Sequence, residues 1–128
     1  MKFFNTLFVL FGLITYSHAD TVFLGKIQQK SAVNQNTDKK YNYYVLNLSN
    51  KTTSKAINNE GDLESINNVK AIQLNFMDSK FKVVTNRKSK VVCKNLYTPD
   101  SMYHHENVIC TVKSLKYLQY YLTLNSFF

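Results

Sequence analysis

The sequence predicts a mostly β domain, five strands closing a small barrel, with at most one short helix between the third and fourth strands. Three observations lead there. Apolar residues alternate with period two in TVFLGKI, YNYYVLNL and VKAIQLNFM, as half-buried strands require. Polar runs rich in Asn, Ser, Thr and Lys separate those segments. The stretch DSKFKVVTNRKSK opens with the helix N-cap candidates Asp78 and Ser79 and spaces Phe81 and Val84 at i, i+3.

Residues 21–27 are the first predicted strand, with Gly25 marking a bulge or bend. Residues 28–40 read as a loop in which Val33 is the one large apolar group. Residues 41–48 are the second strand, with Tyr44, Leu46 and Leu48 on one face. Residues 49–68, broken by Gly61, read as an irregular connection. Residues 69–77 alternate Val69, Ala71, Gln73 and Asn75 against Ile72, Leu74 and Phe76, the third strand. Residues 90–97 and 107–115 are the fourth and fifth. Five strands with a short helix after the third is the order of an OB-type barrel.

The first nineteen residues are expected to be a signal peptide: Lys2, an apolar core over 7–14, then Ser17 and Ala19 before the cleavage point. That apolar run is too short to span the hydrocarbon core of a bilayer as a helix. The mature form then starts at Asp20 and runs through 20–128 as a single barrel domain with an aromatic C-terminal tail over about 115–128. It is expected to be periplasmic or secreted, with no membrane span. The tail extends the fifth strand, covers a barrel edge, or serves as an interaction surface.

Cys93 and Cys110 are the only two cysteines. In an oxidising compartment an even pair reads as a disulfide. The other use is a catalytic thiol with His104 or His105 as base. Setting Cys93 opposite Cys110 in an antiparallel pair puts Val91 opposite Val112 and Asn95 opposite Val108, on one inward face.

The chain holds sixteen Lys and Arg against eight Asp and Glu; removal of Lys2 with the leader leaves fifteen against eight, or +7. Such a balance favours anionic partners: envelope polymers, lipid headgroups or nucleic acid. The lysines are scattered along the chain, as on a solubilising surface.

The segment VVCKNLYTPDSMYHHENVICTVKSLK resembles a bacterial family of exported domains of unknown function, number 4431. Members carry a V-T-V-T-G-T-L-F strand, a His-rich loop ending in H-H, and a Val-rich strand. Val91, Val92, Leu96 and Tyr97 match the first strand, His104 and His105 the end of the loop, and Val108, Ile109 and Val112 the second strand. VFLGKI, YYVLNL and VKAIQLNF are similar to the family's earlier strands. Lys94-Asn95 replaces its Gly-Thr, and Thr98, Pro99, Asp100 and Tyr103 replace its other loop histidines. The resemblance implies an exported barrel and assigns no chemistry.

His104 and His105 are the only histidines outside the leader. Neighbouring extended residues point to opposite faces, and a catalytic zinc site needs three protein ligands. The pair therefore reads as the lip of a β-hairpin, and no metal or other cofactor is expected. No phosphate-binding glycine loop, G-x-S-x-G elbow or H-E-x-x-H is present. Asp62 and Glu64 read as solvated, and Arg87 is the only arginine where a nuclease would need a carboxylate cluster with arginines, which weighs against an enzyme; nucleic acid is not expected as partner. The expected function is an exported binding module engaging an anionic envelope polymer or a protein partner. Its candidate surface is Lys39, Lys40, Tyr41, Tyr43, Tyr97, Tyr103, His104 and His105. A metal-dependent hydrolase built on the His104/His105 loop is the alternative.

Overall fold

The computed structural model describes residues 20–77 and 80–118. The expected leader, the tail beyond residue 118 and the N-cap candidates Asp78 and Ser79 lie outside the described residues. Five strands carry the chain: β1 (Thr21–Val33), β2 (Lys40–Ile57), β3 (Leu63–Asn75), β4 (Lys88–Tyr97) and β5 (Ile109–Tyr117). They form one sheet that closes on itself in the order β1-β2-β3-β5-β4 and back to β1. All neighbours are antiparallel except β3–β5, and a parallel bridge between Ile57 and Tyr97 ties the end of β2 to β4.

Closure depends on β1 pairing with two strands. Residues Gly25 to Val33 face β2, while Thr21 to Lys26 face β4, so the handover falls on Gly25 and Lys26. A Cβ at Gly25 would lie 2.2 Å from the Asn47 carbonyl oxygen, so the expected bend is a close approach of two backbones. The core fills the ring with Phe23, Ile27, Leu46, Ile72, Val91 and Val112, and the half-buried Tyr44 and Leu48 pack on it as their alternation predicts.

Two expected loops are strands. β1 continues through the polar stretch to Val33, and β2 and β3 extend into a hairpin that turns at residues 58–62. The period-two signal is there, but small residues carry it: Ser54 and Ala56 are buried while Thr53, Lys55 and Ile57 are exposed.

No helix forms among the described residues of the β3–β4 connection. Tyr117 holds this segment extended: its hydroxyl donates to the Lys82 carbonyl (2.9 Å) and accepts from the Val84 amide (2.5 Å). The β-branched residues Val83, Val84 and Thr85 favour that outcome. Phe81 and Val83 pack on the core instead of lining a helix face.

Cys93 and Cys110 are bridged, with Cα atoms 5.4 Å apart. The expected register is corrected. Cys93 pairs with Val112, Leu96 with Cys110 and Asn95 with Thr111, because the ladder is irregular between Val92 and Asn95. A bulge sends both Lys94 and Asn95 outward, so the bridge runs diagonally and Asn95 does not face the core. Closing this loop of 17 residues stabilises the fold by about 3 kcal/mol in the chain-entropy model.

Candidate functional site

At one end of the ring the β1–β2 turn and the β4–β5 loop meet over the outward face of β2 and β3. Asn34 builds the turn: its side-chain oxygen accepts from the amides of Asn36 (2.9 Å) and Thr37 (3.3 Å). Its amide nitrogen donates to the Tyr103 hydroxyl at 2.8 Å, tying the turn to the loop. Asp38 takes the left-handed conformation (φ 58°) that lets the chain reverse into β2.

Gln73 seats the β4–β5 loop. It pairs with Val45 across β2–β3, on the face opposite the core pair Leu46 and Ile72, yet both Gln73 and Val45 are buried. Its side-chain nitrogen donates to the Tyr103 carbonyl (2.8 Å), and its oxygen accepts from the His105 amide (2.7 Å). One amide side chain thus satisfies two backbone groups of the loop, as a neighbouring strand would. Sequence reading placed Gln73 on an alternating face without a role. A Gln between Ile72 and Leu74, inside a strand of apolar neighbours, is the signal that marks it.

The loop carries His105 and Tyr103 onto the aromatic side chains of β2. His105 stacks on Tyr43 with ring centroids 4.5 Å apart, and its Nε2 lies 2.5 Å from the Tyr41 hydroxyl. Tyr103 meets Tyr41 edge to face at 4.9 Å. Tyr103 and His105 are exposed, while Tyr41 and Tyr43 are half-buried beside them. Glu106 flanks the cluster, with a carboxylate oxygen 4.0 Å from the Lys30 ammonium. Burial, then the charge of Glu106 and then Tyr41, push the Tyr43 phenol above its ordinary value.

His104 turns the other way. Its ring meets Tyr97 at 5.7 Å, and Asn75 donates to the Tyr97 hydroxyl at 3.0 Å. Nδ1 of His104 lies 3.0 Å from the Asp100 amide and 3.1 Å from an Asp100 carboxylate oxygen. A single Nδ1 cannot accept from the amide and donate to the carboxylate at once.

The eight surface residues expected from sequence therefore divide. Tyr41, Tyr43, Tyr103 and His105 form one cluster; Tyr97 and His104 belong to a second, on the other side of the loop. Lys39 and Lys40 stand exposed at the start of β2. The two histidine rings do not converge, and no group of three or more His, Cys, Asp or Glu among the described residues is placed to hold a metal ion. Comparison with protein-family models, curated proteins and solved structures finds no match for this chain.

Proposed function

We propose that the chain is an exported binding module of OB type, and that the rim formed by Tyr41, Tyr43, Tyr103 and His105 takes an anionic envelope polymer. The observation that carries this reading is the convergence of four rings from β2 and the β4–β5 loop into one partly exposed aromatic surface. OB-type barrels bind oligosaccharides and oligonucleotides on the strand 2–3 face and its flanking loops, where this rim lies. Flat aromatic faces stack on sugar rings, and Lys39 and Lys40 beside them supply cations for acid groups. Export is supported by the leader pattern at 1–19 and by the Cys93–Cys110 bridge. The histidine pair that resembles family 4431 falls in the loop that builds this rim.

A protein partner is the second reading, favoured by the exposed apolar groups Val33 and Met102 near the rim. Calorimetric titration of residues 20–128 with acidic and neutral polysaccharides tests the first. Binding of the acidic polymers is expected, with Tyr43→Ala and Tyr103→Ala each lowering it about tenfold, the weight of one aromatic contact. No binding by the parent protein, or equal binding by both variants, would end the polymer reading.

A further inference from the structure

The sheet register gathers lysines that the sequence leaves far apart. On the outward face of β1, β4 and β5, Lys26 pairs directly with Lys88, and Lys90 pairs directly with Lys116. All four are exposed, and no ion pair joins any of them to a carboxylate among the described residues. Like charges set directly opposite across strands oppose folding. The acids within the described residues lie elsewhere: Asp20 at the start of β1 on Lys113, Asp38 in the β1–β2 turn, Glu60, Asp62 and Glu64 at the β2–β3 hairpin, Asp100 and Glu106 in the β4–β5 loop.

The same face carries an apolar edge. Leu24 stands opposite Lys90, and Val22 stands opposite Val92 one row further. Leu24 is 44% exposed and Val22 50%. Apolar side chains beside a row of ammonium groups that meet no carboxylate among the described residues suit a medium that offers anionic groups above an apolar phase. A soluble polyanion would leave Val22 and Leu24 without a partner.

We infer that the outward face of β1, β4 and β5 docks on an anionic phospholipid surface, its lysines on the headgroups and Val22 and Leu24 at the acyl boundary. This face is separate from the aromatic rim, so the two stand or fall independently. Residues 20–128 contain all five strands and the bridge, and this chain is the one to test.

The experiment is co-sedimentation with phosphatidylcholine vesicles with and without phosphatidylglycerol. Binding is expected to need phosphatidylglycerol and to weaken with salt. A lysine near an anionic leaflet is worth about fivefold in partition, so K88Q/K90Q should bind about 25-fold more weakly, and K26Q/K116Q equally so. Both variants should melt no lower than the parent, since each removes cross-strand repulsion. L24S should lower partition while leaving the salt dependence in place, and Tyr43→Ala should leave it unchanged. Equal binding to phosphatidylcholine alone, or full binding by both lysine variants, would overturn the inference. So would dextran sulfate binding without any vesicle binding, which would assign the face to a soluble polyanion.

Discussion

The aromatic rim and the basic wall sit on one small ring and solve opposite problems. At the rim the polar groups find partners within the chain: Asn34 on Tyr103, Gln73 on the loop backbone, Tyr41 on His105, Glu106 beside Lys30. On the wall, Lys26 faces Lys88 and Lys90 faces Lys116, with no internal counter-charge among the described residues. The rim is a surface of fixed shape whose geometry the fold has already determined. The wall is a field, whose reach is about 10 Å at moderate salt and which selects charge rather than shape. Sites of the first kind discriminate ligands; sites of the second kind hold a protein near a surface.

The largest expected effect is at the hinge on which the wall depends. Gly25→Ala sets a Cβ 2.2 Å from a backbone oxygen of β2, and neither partner is a flexible side-chain end. Relief requires β1 to move off β2 or β4, which separates Lys26 from Lys88. A loss of about 3 kcal/mol in urea unfolding is expected, the upper range for overpacking. A loss below about 0.5 kcal/mol would mean that the ring tolerates a looser seam and that the wall's spacing is not fixed by Gly25.

Next comes Gln73→Leu, which attacks the rim alone. The replacement keeps the volume but leaves the Tyr103 carbonyl and the His105 amide without their partner. A cost of about 1 kcal/mol is expected for those part-buried groups, the low end for unsatisfied hydrogen-bonding groups. Amide exchange should quicken across 101–106, while the vesicle partition assigned to the wall stays at the parent value. Slow exchange retained in the loop would show that stacking of His105 on Tyr43 suffices to hold it.

Sequence and structure agree where large apolar residues carry the pattern. Tyr44, Leu46 and Leu48 on one face, Ile72, Leu74 and Phe76 on the core side of β3, and the cysteine bridge all follow from spacing and residue type. Val69, expected on the opposite face of β3, joins the same core because the β2–β3 register shifts between Asn47 and Thr52. Agreement ends where small or polar residues keep the period, as at Ser54 and Ala56, and where the period breaks. The bulge after Cys93 turns Lys94 and Asn95 outward together, and nothing in KNL announces it. The rim was legible in its residues but not in its grouping: Tyr41 and Tyr43 stand as an aromatic run close to two lysines and Tyr103 and His105 lie on the β4–β5 loop, but nothing separates them in sequence from Tyr97 and His104. Its keystone, Gln73, depends on a loop that folds over the outer sheet face, which strand patterns do not encode. The wall was hidden for a related reason. Lys26, Lys88, Lys90 and Lys116 are scattered in sequence, and only the pairing of β1 with β4 and of β4 with β5 makes neighbours of them.

The smallest effect is the most local. Tyr43 is pushed above the ordinary phenol value by burial first, by Glu106 second and by Tyr41 third. In the unfolded chain the phenol ionises near its ordinary value of about 10. Above that pH the unfolded chain has released the proton while the folded chain still holds it. The stability Tyr43 contributes is therefore whole below about pH 10 and is lost as pH rises through the folded value. Tyr43→Phe removes the proton from both states, so the variant should lose less stability than the parent between neutral and strongly alkaline pH. Urea midpoints measured in parallel read the difference, and every group common to the two proteins cancels. Glu106→Gln should reproduce part of the change, whereas K88Q/K90Q, on the wall, should leave the Tyr43 difference untouched. Parallel midpoints for the parent and Tyr43→Phe would show that the rim leaves this phenol as free to ionise as an unfolded one, and the contrast between a desolvated rim and an open wall would lose its electrostatic half.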